Sequence, residues 1–267
     1  MMRFTKMQGA GNDYVYVDCF KETVNDPAAA AVKVSDRHFG IGSDGLVLIC
    51  PSERADVRMR MFNADGSEGT MCGNAIRCVG KYVYDHGLVP KEHISVETLG
   101  GIKLLDMDIR EGKAAGASVD MGVPQITSQI PEPISIQGEE KEFVGIDVGN
   151  PHAVYFCQDI DRLRLEDIGP LHECHIRFPN RVNSEFVQVL CRNHIRMRVW
   201  ERGSGETWAC GTGATASAVA AMVMGYADNK VKVSLKGGDL DITWNRKTGH
   251  VFMAGPAVEV FHGEIEI

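Results

Sequence analysis

The chain states one pattern twice. Residues 58–73 read RMRMFNADGSEGTMCG and residues 196–211 read RMRVWERGSGETWACG. At a single offset of 138 positions, Arg58, Met59, Arg60, Glu68, Cys72 and Gly73 fall on Arg196, Met197, Arg198, Glu206, Cys210 and Gly211. The same offset lays Gly11-Asn12 of GNDYVYVD on Gly149-Asn150 of GNPHAVYF. At 267 residues the chain has room for one large domain or two ordinary ones, and a gap-free repeat decides for two related halves. Each half presents one cysteine on a glycine-bearing turn. A matched pair of thiols can act on one carbon from two opposite sides.

The order of elements repeats as well. Alternation and apolar runs predict strands at Tyr14–Asp18, Leu46–Cys50, Val57–Phe62, Ile94–Thr98 and Ile102–Ile109, with helices near Asp26–Arg37 and Asn74–Tyr84. The second half offers strands at Val144–Asp147, Ala153–Phe156, Ser184–Leu190, His194–Glu201, Val231–Leu235, Leu240–Trp244 and Val251–Ala254, and a helix over Thr212–Met224. That helix, with ATASAVAAMVM small and apolar on every face, reads as buried. Short strands around one long buried helix per half predict an α+β fold of two pseudo-symmetric domains, each a mixed or antiparallel sheet wrapped around its helix. The halves are expected to divide as residues 1–115, completed by a terminal strand at 257–267, and residues 116–256.

Two classes of partner are excluded at this level. A net charge of −8 lacks the basic footprint of a nucleic-acid binder. The longest apolar-plus-small stretch, Ala214 to Gly225, is too short to span a bilayer, and the N-terminus has no apolar core of signal-peptide length. A cytoplasmic protein follows, and its eight cysteines are then thiols by default. Cys19, Cys50, Cys157 and Cys191 lie in or beside apolar runs, and Cys78 lies within a predicted helix, so core packing accounts for them.

Cys72 and Cys210 stand apart. Each precedes a glycine, then a residue able to cap, then helix-forming sequence. A cysteine at a helix N-terminus meets unpaired N–H groups and the positive end of the dipole. That setting is expected to lower a thiol from ~8.5, and the same N–H groups suit a carboxylate. Reaction at an α-carbon beside a carboxylate needs one base and one acid on opposite faces, and cysteine serves as either. It also needs a dry site with donors aimed at the developing charge. No lysine stands in a recognisable pyridoxal-phosphate motif, so a mechanism with no cofactor and no metal is expected.

QGAGNDYVYVD, FNADGSEGTMCGNAIRCVGKYV, GNPHAVYF, RVNSEFVQV and ERGSGETWACGTGATASAVAA run in order from Met7 to Gly225 and resemble the diaminopimelate epimerase family over most of the chain. The resemblance implies cofactor-independent conversion of LL-2,6-diaminopimelate to the meso form, in lysine and peptidoglycan-precursor synthesis. It implies Cys72 and Cys210 as the acid/base thiols, with His152 and Glu201 tuning them. Asn12, Asn63, Asn74, Asn150, Asn183, Glu201 and Arg202 would contact substrate, Arg202 at the distal carboxylate. Gly73, Asn74, Gly211 and Thr212 would offer backbone N–H groups to the reacting carboxylate. A homodimer is expected, the commonest assembly for such enzymes. Two departures are visible. Some members carry glutamine where this chain has Gly45, and CGNAIRC stands where CGNGARC is frequent, which places Ala75 at a glycine position.

Relatives of similar fold fit less well. Proline racemase and hydroxyproline epimerase relatives carry histidine where Asn74 stands, and phenazine-biosynthesis isomerase relatives lack the paired cysteines. A thiol–disulfide oxidoreductase leaves the asparagines and Arg202 without purpose, and no CxxC is present. A nucleotide module would rest on Gly211-Thr212-Gly213 alone, with no P-loop lysine. His172, Cys174 and His175 lack a partner cluster for zinc, and LHECHIRFPN reads as a polar surface loop.

Overall fold

The computed structural model describes residues 1–267. In chain order its first elements are β1 (Met2–Gly9), β2 (Asn12–Asp18), α1 (Pro27–Ser35), β3 (Gly45–Cys50), β4 (Val57–Asn63), β5 (Glu68–Gly69), α2 (Gly73–Asp85), β6 (His93–Thr98), β7 (Gly101–Arg110) and β8 (Lys113–Gly122). They are followed by β9 (Gln125–Ile126), β10 (Glu132–Ile136), β11 (Glu139–Asp147), β12 (Pro151–Phe156), α3 (Leu165–Glu173), β13 (Asn183–Cys191), β14 (His194–Glu201) and β15 (Gly205–Glu206). The chain ends with α4 (Gly211–Val223), β16 (Lys230–Leu235), β17 (Gly238–Trp244), β18 (Val251–Pro256) and β19 (Val258–Ile265). The architecture is α+β.

The backbone forms two units, one of Met1–Val119 with Ala254–Ile267 and one of Asp120–Met253. Within the first, β1 pairs antiparallel with β2 and with β19, β2 lies parallel to β3, and β3 pairs antiparallel with β4. β4 then runs parallel to β6, which hairpins into β7. This sheet encloses α2, whose Ala75, Ile76, Cys78, Val79 and Val83 are buried to within a few per cent. Asp26 starts α1 by accepting from the Ala29 N–H at 3.0 Å, and Pro27 takes the position where no N–H is needed. Ala30, Ala31 and Val34 of α1 then close a core with Val15, Val17, Leu46, Leu48 and Phe62.

The second unit repeats the plan. Its β12 lies parallel to β13, which pairs antiparallel with β14. The register itself is copied: Val15 opposite Leu46 becomes Ala153 opposite Ser184, and Leu46 opposite Phe62 becomes Ser184 opposite Trp200. Helices α1 and α3, like α2 and α4, start and end 138 residues apart. The twin cysteine turns also keep a twin ion pair, Arg60 Nε to Glu68 at 2.8 Å and Arg198 Nε to Glu206 at 2.8 Å. Ala214, Ala216, Ala218, Val219, Ala220 and Ala221 are fully covered, so α4 is buried on every face.

Several expectations need correction. The LHECHIRFPN segment is not simply a surface loop, because its first residues finish α3, where His172 and Glu173 are buried. His172 packs edge-on against Tyr155 and Phe186 and gives Nδ1 to the Ile168 carbonyl, which a core histidine needs. Alternation had also not marked β1 or β10 as strands. Cys191 is exposed at the end of β13, and Cys19, Cys50 and Cys157 are only partly covered. Cys19, Cys50 and Cys157 still pack against the cores of their units, so only Cys191 departs from core packing. Cys78 is fully buried.

Candidate active site

In the first unit, Gly11 has φ 82° and hands Asn12 to the start of β2. Its twin Gly149, at φ 108°, leads into Asn150 just before β12, and only glycine takes that conformation without strain. The Asn12 amide is oriented from behind: its Nδ2 donates to Asp44 at 2.7 Å. That leaves Oδ1 to accept from the Cys72 thiol at 3.4 Å. Asp44 is itself held by the Asp13 N–H and by Arg37, which also bonds Asp13. Burial, followed by the Asp13 charge, pushes the Asp44 carboxyl upward.

Cys72 is the N-cap of α2, with φ −132° and ψ 118°, and its sulfur accepts from the Ala75 N–H at 3.5 Å. Gly73 opens the helix and Asn74 is almost wholly buried, its Oδ1 accepting from Arg77 at 3.0 Å. Arg77 is itself covered completely and donates to the Gly73 and Pro256 carbonyls. Asn63 is exposed at the end of β4, bonded to Ser67 within its own turn. Gly45 leaves no space for a side chain, since a Cβ there would collide with the Phe62 carbonyl. On this backbone the glutamine of other members has no room.

In the second unit, Cys210 caps α4 with φ −124° and ψ 108°, and accepts from the Gly213 N–H at 3.4 Å. The local geometry repeats that of Cys72, but the surroundings do not. Cys210 is 6% exposed, and the Thr212 hydroxyl lies 3.5 Å from its sulfur. Burial, then the charges of Glu201 and Glu185, push its thiol well above the ordinary value, and the bonds from Thr212 and Gly213 do not offset them. The expectation of a lowered thiol at both turns therefore fails at Cys210. Desolvation and two carboxylates outweigh the helix dipole, whose effect is confined to roughly the first turn and amounts to about 1 kcal/mol.

Glu201 accepts from the Thr207 hydroxyl, and the Cys210 thiol also favours its ionised form. Its own carboxyl is raised, by burial foremost, against the pull of those two donors. His152, on β12, is fully covered, with Nδ1 2.6 Å from Glu185 Oε1 and Nε2 3.0 Å from Asn150 Oδ1. Asn183 ties two segments together, donating to the Pro151 carbonyl at 3.1 Å and accepting from the Arg202 N–H at 2.9 Å. The Arg202 guanidinium stays exposed and reaches only the Asn180 carbonyl, at 3.5 Å.

The sequence reading missed Glu185. It is a charged residue on the buried strand β13, with no side-chain exposure, one oxygen on His152 and the other without a partner. Its only signal was a glutamate inside the apolar run SEFVQV. It also explains the glycine at position 213, where a Cβ would lie 2.9 Å from Glu185 Oε1 and 3.2 Å from Cys210 Sγ. The matching position in the first unit, Ala75, has Val47 where the second has Glu185, and it tolerates a methyl group.

The family model described as diaminopimelate epimerase matches residues 4–127 and 144–260. The diaminopimelate epimerase of Acetivibrio thermocellus is 56% identical over 277 residues, covering 100% of this chain and 99% of its own. That of Desulfovibrio desulfuricans is 54% identical over 283 residues, at 100% and 99% coverage. Among solved structures, a phenazine biosynthesis protein of the PhzF family from Bacillus anthracis superposes with a TM-score of 0.77 at 19% identity, over 100% of this chain and 99% of its own. The last likeness is one of fold.

Proposed function

The chain belongs to the diaminopimelate epimerase family, and on that premise we propose that Cys72 and Cys210 are the two acid/base thiols of a reaction interconverting LL- and meso-diaminopimelate. The observation that carries this reading is the twin cap: each cysteine sits at the N-terminus of its helix with an N–H of the first turn on its sulfur. One cysteine, as thiolate, takes the α-proton; the other, as thiol, returns a proton to the opposite face. Negative charge developing on the α-carboxylate is met by backbone N–H groups of Gly73, Asn74, Gly211 and Thr212, at the positive ends of the two helix dipoles.

Glu201, whose charge bears on Cys210, is the group able to hold the Cys210 proton when that cysteine acts as base. His152, braced by Glu185, orients Asn150. Asn12, Asn63, Asn74, Asn150, Asn183, Glu201 and Arg202 bind substrate in this reading. The exposed Arg202 fork suits the distal carboxylate. No helix is long and apolar enough to cross a membrane. A homodimer in the cytoplasm completes the proposal, supported by eight thiols, the usage of a reducing compartment.

The test is deuterium entry from solvent into diaminopimelate under reducing conditions, with Cys72→Ala and Cys210→Ala beside the wild type. Wild type should incorporate label at the epimerised carbon, and each variant should lose epimerisation by a factor of about 10²–10⁴ or more. A folded wild type that leaves diaminopimelate unlabelled would move the reaction to another amino acid.

A further inference from the structure

A second thiol pair lies in the first unit, outside the residues assigned above. β2 runs parallel to β3 with Asp18 opposite Ile49, so the next residues, Cys19 and Cys50, stand side by side. The Cys19 N–H fixes this register by donating to the Ile49 carbonyl at 2.9 Å. Both residues are partly exposed at the rim of one core, against which both pack. Arg58 faces Cys50 across β4, and Arg60 lies diagonally beside it.

We propose that Cys19 and Cys50 form a modification site, a dithiol that a peroxide converts to a disulfide joining β2 to β3. Neighbouring strands lie about 4.8 Å apart, inside the roughly 4.4–6.8 Å Cα separation that a disulfide bridges. The two sulfurs are also unequal. The Cys19 thiol beside it, then Arg60 and Arg58, lower Cys50 against the effect of burial. The Cys50 sulfur, with burial and the Cys50 charge, raises Cys19. Arg58 opposite Cys50 and Arg60 diagonal to it place two cations beside that sulfur, which makes Cys50 the attacking sulfur and Cys19 the resolving one.

The steps balance. The Cys50 thiolate attacks one peroxide oxygen, the O–O bond breaks, and hydroxide leaves to be protonated to water. Cys50 now carries S–OH. The Cys19 sulfur attacks it, the S–O bond breaks, and the departing hydroxide takes the Cys19 proton as a second water. The dithiol loses two electrons and the peroxide gains them.

The repeat supplies an internal control. Cys157 occupies the position of Cys19 in the second unit, and its N–H donates to the Val187 carbonyl at 2.7 Å. The residue beside it across the strands is Gln188, because Phe156 pairs with Val187. Cys157 thus has the same backbone setting and no neighbouring thiol, and burial raises it.

The experiment titrates the reduced, full-length protein with hydrogen peroxide, alkylates remaining thiols in denaturant, and maps tryptic peptides by mass. Cys19, Cys50 and Cys157 fall in separate peptides, Met7–Lys21, His38–Arg54 and Glu142–Arg162. The first two should lose label in equal measure and reappear as one joined species lacking two hydrogens, reversed by dithiothreitol. Cys157 should keep its label over the same range. In Cys50→Ser, Cys19 should stay labelled; in Cys19→Ser, Cys50 should accumulate as a sulfenic acid trapped by a cyclic 1,3-dione. Equal loss of label at Cys19 and Cys157, or a joined species containing the Cys72 peptide Met61–Arg77 in place of the Cys19–Cys50 species, would overturn the proposal. The wild-type map decides it even where a serine variant fails to fold.

Discussion

The caps of α2 and α4 share backbone geometry, hydrogen bonding and a following glycine, yet they give their cysteines opposite company. Cys72 is partly exposed beside a neutral amide, with the buried Arg77 one turn away in α2. Cys210 is buried beside two carboxylates. Duplication thus kept the part that creates a helix N-terminus and let the surroundings diverge. The lesson is that a local motif fixes where a thiol sits, while more distant strands fix its protonation. At Cys210 those strands bring Glu185 and Glu201, whose twins in the first unit are Val47 and Asn63.

The largest expected effect comes from removing one of those carboxylates. Glu201→Gln should lower kcat by about 10²–10⁴, since the Cys210 proton loses its acceptor. The same change should stabilise the fold, in a pH-dependent way. Glu201 is raised, by burial first, so the folded state favours its protonated form. The corresponding stability is present below the ordinary value of 4.5 and is lost as pH rises through the folded value. Glutamine cannot ionise, so the Tm advantage of the variant should be small near pH 4 and widen toward pH 8. A constant gap, or a more stable wild type at pH 8, would mean that Thr207 and Cys210 hold Glu201 ionised. The contrast between the caps would then collapse. Cys210 itself should add a further loss of wild-type stability above about pH 9, because its thiol is also raised.

A smaller effect is expected where the two helices differ by one methyl group. Gly213→Ala puts a Cβ 2.9 Å from Glu185 Oε1 and 3.2 Å from Cys210 Sγ. Glu185 cannot retreat without leaving His152. Displacing both should cost roughly 10–100-fold in kcat, with KM changed less. The reciprocal Ala75→Gly should leave kcat nearly intact and cost about 1 kcal/mol of stability, the ordinary penalty of glycine in a helix. Urea unfolding and steady-state kinetics on the two variants measure both terms. If Gly213→Ala were as active as wild type, Glu185 would have no part in positioning the thiol.

Much of this was legible in the sequence because it is local. The repeat, the two caps, the buried alanine-rich helix and the hairpins around the ion pairs all follow from residues close in the chain. Asn12 and Asn150 were visible as polar residues beside glycine, and Asn63, Asn74 and Asn183 only through the family resemblance. What could not be read was set by strand neighbours distant in sequence. The Glu185 contact with His152 spans β12 and β13, and the pairing of Cys19 with Cys50 needs the β2/β3 register. Gly45 stood out only as a departure from the family pattern, and Gly213 looked like an ordinary helix-start residue. Their meaning lies in the Phe62 carbonyl and the Glu185 carboxylate that approach them. The raised thiol of Cys210 likewise depends on burial, which the dipole of its own helix cannot reveal.

The smallest expected difference concerns the conserved half of the comparison, the twin ion pairs. Arg60 and Glu68 leave about a third of each side chain in solvent, and the guanidinium lies 5.1 Å from the Phe62 ring centroid. Arg60→Met should therefore cost about 0.2–1 kcal/mol, as exposed pairs do. Arg198 holds Glu206 with less exposure and also donates to the Ile160 and Leu163 carbonyls at 2.7 Å each. Methionine would leave those carbonyls without their charged donor, so Arg198→Met should cost about 1–3 kcal/mol. Pairing each change with Glu68→Gln or Glu206→Gln in a double-mutant cycle isolates the ion-pair contribution. Similar coupling at the two sites, with unequal single-variant costs, would place the difference in the carbonyls. Equal single-variant costs would show that this pair kept its energetics as well as its geometry, leaving the divergence of the two units confined to the surroundings of the cysteines.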